Sequence, residues 1–345
     1  MRFRRKKANA AVPGALGGLL RLSRNLDGEK FPLWASESDR ERVKEKILQA
    51  ALDVDPTASF VTFNGIEQSG HSIFAEGHAG DPYTSGYILF ASNPDKRIAV
   101  NNENHLAIEY ACNGIDLAEI WPKLDELDNR LAERLDYAWS PRLGYLTATS
   151  ENTGTALRAE ALVQLPGFHL LQEMNAVTNA LERMDCRVHN IDSPECPFQA
   201  AIYRISNRIT IGKDEATLIE DVMRVTKKLL KREQQARQRV IFNHSALLVA
   251  DYVSRALSSA RSAFLVSPQE AMQLLFILRF GVEMNFVKGI TMQELDKLLG
   301  LAQKEEIVLE RFGREYDDPE IDIEQAYADF LNLSVQDLYI EPDGV

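Results

Sequence analysis

The sequence has little cysteine: only Cys112, Cys186 and Cys196, with no C-x-x-C pair. An odd, scattered set excludes a disulfide framework, argues against a structural zinc site and suits a reducing cytoplasm. Positive charge is also short, with 39 Lys and Arg against 51 Asp and Glu and a net charge of −12. That balance gives no general attraction to nucleic acid or to an anionic membrane surface. No apolar run is long enough to span a bilayer. MRFRRKK followed by ANAAVPGALGGLL has only the outline of a signal peptide, because its apolar part is Gly-rich, broken by Pro13 and leads into RLSRNL without a clear cleavage site. Residues 1–18 therefore read as a basic flexible tail. A Walker A sequence and a G-x-G-x-x-G are missing too, which argues against P-loop and Rossmann sites.

What is present is an ordinary globular balance, 45% hydrophobic and 26% charged over 345 residues, enough for two domains. Val43, Ile47, Leu48 and Ala51 recur at helical spacing within 36–52. SFVTF, GYILFA and RIAV are short β-rich runs separated by turn formers, and helical period returns in Leu117, Ile120, Leu124, Leu127, Leu131 and Leu135. GYLTATSENTGTALRAEALVQLP reads as a short strand, a polar loop and a helix ended by Pro166. CRVHNIDSPECPF reads as a long irregular segment, AIYRISNRITIG as a strand, and 214–240 as a charged helix. Beyond about 240 the β signal stops, and Ser267, Pro268 and Glu270 mark a helix start. The pattern predicts an α+β domain over 19–242, an antiparallel sheet flanked by helices, followed by a smaller all-α domain over 243–345.

Four stretches carry candidate chemistry. RLSRNL places Arg21 and Arg24 three apart; guanidiniums grip phosphate oxygens bidentately, although surface charges look the same. NNENHLAI sets Glu103 beside His105, either a general base or a solvated turn acid. TATSENTGTALRA offers a polar loop and a helix N-terminus to an anion, with Arg158 about one turn in. The 186–198 segment has the length of a binding loop or lid.

Taken in order, RLSRNL, NNENHLAI, DYAWSPRLGYLTATSENTGTALRA and YRISNRITIG resemble the hallmark segments of the phosphagen (ATP:guanidino) kinase family. Among its branches the bacterial protein arginine kinases are the most similar, with SSRIRLARNL, NEEDHLRI, GYLTSCPTNVGTGLRAS and ISNQLTLG. SSARSAFLVSPQEAMQLLFILRFGVEMNFVKGIT is similar to their C-terminal dimerisation region, so the likeness runs from about residue 19 to about 330. The resemblance implies phosphorylation of a guanidinium by ATP with Mg²⁺, arginines clamping the phosphates and an acid orienting the guanidino nitrogen. Phosphoryl transfer is catalysed mainly by such positioning and charge stabilisation.

Carried over by position, the catalytic glutamate falls on Glu103, and phosphate-binding arginines fall on Arg21, Arg158 and Arg187. No metal-binding residue is assigned. The other two arginines fall on Leu19 and Ala107, the acids flanking the glutamate on Asn102 and Asn104, and the reactive cysteine and its proline on Thr149 and Ser150. The R-G-x-x-G-E lid falls on Arg187 to Asp192, with Val188 and Ile191 in place of its glycines. The R-D-x-R-R-A phosphoarginine-binding element falls on IDIEQA (321–326), where Asp322 remains and the arginines do not. A charge-assisted hydrogen bond contributes roughly 1.5–3 kcal/mol, so two missing arginines weaken nucleotide or transition-state binding by about 3–6 kcal/mol. The expectation is a cytoplasmic, dimeric pseudokinase acting as scaffold or regulator. It would use ATP and Mg²⁺ only if active, and its partners would come from stress response or protein quality control. The alternative is an active ATP-dependent guanidino phosphotransferase with an altered site.

Overall fold

Side chains along Ala15–Arg24 (β1) alternate between two faces: Leu20 and Leu22 are buried under helices, while Arg21 belongs to the opposite face. This period-two pattern makes β1 a central strand of a sheet with two unlike faces. The structure is a computed structural model and describes residues 12–62, 85–244, 246–313 and 319–341. Around β1 stand Ala58–Thr62 (β2), Gly86–Phe90 (β3), Lys96–Val100 (β4), Leu106–Cys112 (β5), Leu157–Gln164 (β8), Cys186–Asn190 (β9) and Ile202–Asn207 (β10). They form one sheet in the order β2-β3-β4-β5-β1-β8-β10-β9, each neighbouring pair antiparallel. Trp139–Ser140 (β6) and Gly144–Tyr145 (β7) make a separate small ribbon.

One face of the sheet lies under Glu37–Val54 (α1), Leu117–Ala132 (α2) and Glu215–His244 (α5), whose Ile47, Leu124 and Leu230 share a core with Leu20, Ile98, Ile108 and Ala161. Two short helices, Pro166–Leu170 (α3) and Met174–Glu182 (α4), separate β8 from β9. Glu233 on α5 accepts the Gly167 and Phe168 N–H groups at 2.7 and 3.1 Å, satisfying donors that the first turn of α3 leaves open.

The remaining helices are Ala246–Ser262 (α6), Pro268–Glu283 (α7), Met292–Ala302 (α8), Glu305–Phe312 (α9) and Pro319–Val335 (α10), with Val287–Lys288 (β11) paired to Tyr339–Ile340 (β12). They build a second apolar cluster that takes in Leu19 and Leu162 from the sheet. Ser267 Oγ accepts the Glu270 N–H at 3.1 Å, so α7 starts where the sequence places a cap. Among the described residues no helix is long and apolar enough to cross a membrane.

Three expectations are corrected. Residues 157–164 are a strand, not a helix: Leu157, Ala159, Ala161 and Val163 face the helices while Arg158, Glu160 and Leu162 face the other way. Residues 186–190 are an edge strand on β10 rather than irregular chain. The expected tail is shorter, since β1 begins at Ala15 and Gly18 is already paired with Cys112 and Ala161. The basic residues Arg2 to Lys7 lie outside the described residues.

Candidate active site

The turn between β4 and β5 explains why NNENH is so polar yet so little of it faces solvent. Asn101 sits at φ 51°, a region asparagine tolerates, and its Nδ2 donates to the Arg40 carbonyl at 2.8 Å. Asn102 Oδ1 accepts the Asn104 N–H at 3.1 Å. Asn104 Oδ1 accepts from Asn25 Nδ2 at 2.7 Å and from the Ala148 N–H at 2.9 Å. His105 Nδ1 accepts the Leu26 N–H at 2.9 Å, which leaves Nε2–H to donate to the Lys30 carbonyl at 2.8 Å. Burial holds the His105 pKa below its usual value, so the ring is neutral and structural. Four of these five side chains fix the turn. Glu103 alone is exposed, and it lines a cleft of about 440 Å³ on the open face of the sheet.

The same cleft takes in Arg21 from β1, Arg158 from β8 and Arg187 from β9, so all four residues assigned from sequence converge there. Their surroundings differ. Arg21 Nε donates to Glu109 Oε1 at 2.6 Å, and its Nη1 lies 3.7 Å from Glu160 Oε1. Burial by itself would lower the Arg21 pKa, but these two carboxylates outweigh it and the pKa is raised. Arg158 donates to Asn152 Oδ1 at 2.5 Å, and burial lowers its pKa against the opposing pull of Glu160 and Glu103. Arg187, exposed at the sheet edge, pairs with Glu151 on the opposite rim.

The rim loop 146–155 is held by close backbone approach. Gly144 and Gly154 both have positive φ, 76° and 115°, and a Cβ on Gly144 would lie 2.5 Å from the Gly154 carbonyl oxygen. Thr149 lines the cleft, its hydroxyl accepting from Asn152 Nδ2 at 2.9 Å. Asn207, the asparagine of ISN, bridges strands: its Oδ1 accepts the Ala159 N–H at 2.8 Å and its Nδ2 donates to the Leu157 carbonyl at 3.0 Å.

Several assignments fall elsewhere. Arg24 is buried with Asp128 at 2.6 Å and is a fold residue. The anion-binding helix N-terminus expected before Arg158 does not exist, because that residue is on a strand. Asp192 is outside the cleft, buried, and accepts the Ala201 N–H at 2.7 Å; Val188 lies on the edge strand, and Ile191 packs against the helical cluster. Leu19 and Ala107, each 1% exposed, are sealed in apolar clusters. IDIEQA lies within α10, where Gln325 is buried and donates to Asp329 at 2.5 Å. Sequence reasoning missed Glu109, Glu160 and Arg204. Period-two alternation in LAIEYAC, LRAEALVQ and IYRISN was the signal that puts all three on the face of Arg21.

A triphosphate needs guanidiniums free to turn to it. Of the positions the resemblance gives to phosphate-binding arginines, Arg21 is paired with carboxylates and two are filled by Leu19 and Ala107, while Arg158 and Arg187 line the cleft together with Glu103 and Arg204. Among the described residues no three His, Cys, Asp or Glu side chains gather as a metal site.

Comparison with known proteins adds a lineage. Residues 61–236 match the family described as ATP:guanido phosphotransferase, C-terminal catalytic domain, and residues 246–332 match the protein-arginine kinase McsB C-terminal domain. The protein-arginine kinase of Symbiobacterium thermophilum is 30% identical over 321 residues, 90% of each chain. That of Halothermothrix orenii is 28% identical over 318 residues, again 90% of each. A lombricine kinase crystal structure superposes with a TM-score of 0.54 over 65% of this chain and 67% of its own, at 20% identity, which speaks to fold alone.

Proposed function

The chain belongs to the ATP:guanido phosphotransferase family, and from that premise we propose that it is a protein-arginine-kinase-type member in which phosphoryl transfer is weak or lost, acting as a dimeric scaffold or regulator in the cytoplasm. The observation that carries this reading is the state of Leu19 and Ala107. Both stand where the family places phosphate-binding arginines, and both are buried in apolar clusters that no phosphate oxygen enters. Preserved packing around an emptied phosphate site favours a role for the fold over a role for the chemistry.

Dimerisation is supported by large apolar side chains left exposed on the helical part, Phe264 at 89% and Leu333 at 59%. Light scattering that finds only monomer at micromolar concentration removes that element. Partners are proposed to be proteins of stress response or quality control, and the loss of arginines from 321–326 argues against recruitment through phosphoarginine.

A second reading, an active ATP-dependent guanidino phosphotransferase with an altered site, is favoured by one observation: Glu103, Arg158 and Arg187 still share a cleft. One experiment decides. The chain is incubated with Mg·ATP and an arginine-rich protein, and phosphoarginine is followed by phosphorus NMR and mass spectrometry. The expected result is none above background. Robust phosphoarginine that disappears in Glu103→Gln overturns the first reading and establishes the second.

A further inference from the structure

Five charged side chains on the cleft face run across five neighbouring strands, alternating in sign: Arg97 on β4, Glu109 on β5 and Arg21 on β1 in direct register, then Glu160 on β8 and Arg204 on β10, each displaced diagonally by two residues. Glu109 receives Arg97 Nε at 2.5 Å on one oxygen and Arg21 Nε at 2.6 Å on the other. Glu160 stands 3.7 Å from Arg21 Nη1 and 3.5 Å from Arg204 Nε. All five side chains are at least 88% buried, from 12% exposure at Arg21 down to 1% at Glu109. Three guanidiniums are thus shared between two carboxylates where water barely reaches.

We propose that Glu109 and Glu160 are built-in substitutes for the anionic oxygens of a ligand: they occupy Arg21, Arg97 and Arg204 and make the cleft floor refuse a polyphosphate. This rests on the reading of weak or lost transfer and names the residues that enforce it. A phosphate oxygen approaching Arg21 meets carboxylates on both neighbouring strands, and in a poorly solvated floor like-charge repulsion is strong. The guanidinium's Nε is already given to a carboxylate of better geometry than a diffusing ligand offers. Glu160 is the gate of the pair, because it lines the cleft and its contacts are the longer ones.

The test uses the full chain and inorganic pyrophosphate as probe, with calorimetric titration and a thermal melt to check folding. Glu160→Gln keeps the side-chain shape and removes the charge. It is expected to bind pyrophosphate on the order of 10- to 100-fold tighter than the unmodified chain, with an affinity that falls as salt is added. Glu160→Asp keeps the charge and is expected to show no gain. If Glu160→Gln does not fold, the pair Glu160→Gln with Arg204→Met restores the charge balance and is expected to give the same gain through Arg21. A folded Glu160→Gln (or the folded pair) that binds no tighter overturns the proposal, as does an equal gain in Glu160→Asp. A purely structural ladder would move the melt and leave affinity alone. Phosphoryl transfer by the unmodified chain sinks this inference and the proposed function together. An absent gain sinks this inference only, leaving weak transfer to stand on Leu19 and Ala107.

Discussion

Arg21 and Glu109 face each other directly across β1 and β5, Nε to Oε1 at 2.6 Å, in the middle of the sheet. Their pairing fixes the electrostatics of the whole floor, because Glu109 is simultaneously bound to Arg97 and Arg21 leans on Glu160. A buried pair of this kind contributes little over an apolar pair, yet removing one partner strands the other charge.

Arg21→Met is therefore expected to lower stability by less than the roughly 3–5 kcal/mol of an isolated buried pair, because Arg97 still holds Glu109 and Arg204 still faces Glu160. Urea denaturation of Arg21→Met, Glu109→Gln and the double variant measures the coupling. Additive effects would mean the two groups do not act as a pair.

His105→Gln is expected to flatten the acid side of the stability profile. Burial holds the folded-state pKa below the unfolded value of 6.5, so the unfolded chain takes up a proton first as pH falls. The contribution of His105 is present above 6.5 and is lost as pH drops below it. The variant should lose that slope and also some stability at pH 8, since the hydrogen bonds to Leu26 and Lys30 are disturbed. Melting temperatures between pH 5 and pH 8 for both chains check it.

How far the sequence speaks can be judged at these residues. Helical stripes such as Leu117 to Leu131 and the Ser267 cap are local signals and read correctly. The strand at 157–164 did not, because Ala and Leu satisfy both a helical and an alternating pattern and only its neighbours β1 and β10 decide between them. Motif order picked out Glu103, Arg21, Arg158 and Arg187, and the folded chain sets all four around one cleft. What stayed hidden was partnership: Glu109 and Glu160 look like ordinary charges until strand register sets them against Arg21, 88 and 139 residues away along the chain.

Asp192→Asn is expected to change pH dependence in the opposite direction from His105→Gln. Burial raises the Asp192 pKa from 3.8 to about 6, so the folded chain holds the proton more firmly than the unfolded one. Its stabilising effect is complete below 3.8 and is lost as pH rises through about 6, a fall of about 3 kcal/mol at most. The amide carries no charge, so the variant should lack this decline; denaturant midpoints at pH 4.5 and pH 7 are compared. Because Asp192 holds the Ala201 and Ile202 N–H groups, the loop before β10 is the region where any change in hydrogen exchange should appear.

Putting the missing arginines back should not rebuild a phosphate site. Ala107 lies against Tyr87 and Ala99 with 1% exposure, and Leu19 is packed into the helical cluster beside Leu162 and Ile202. An arginine at either place must expand a filled core and bury its cation among apolar side chains. Overpacking alone costs about 1–3 kcal/mol, and an unpaired buried charge adds to that. Ala107→Arg and Leu19→Arg are each expected to unfold at lower urea than the unmodified chain and to gain no pyrophosphate affinity. Glu160→Gln, which only releases an arginine already in place, is the change that should gain it. If Ala107→Arg instead bound pyrophosphate without loss of stability, the apolar positions would be the sole reason for weak binding, and the carboxylates at 109 and 160 would have no part in excluding it.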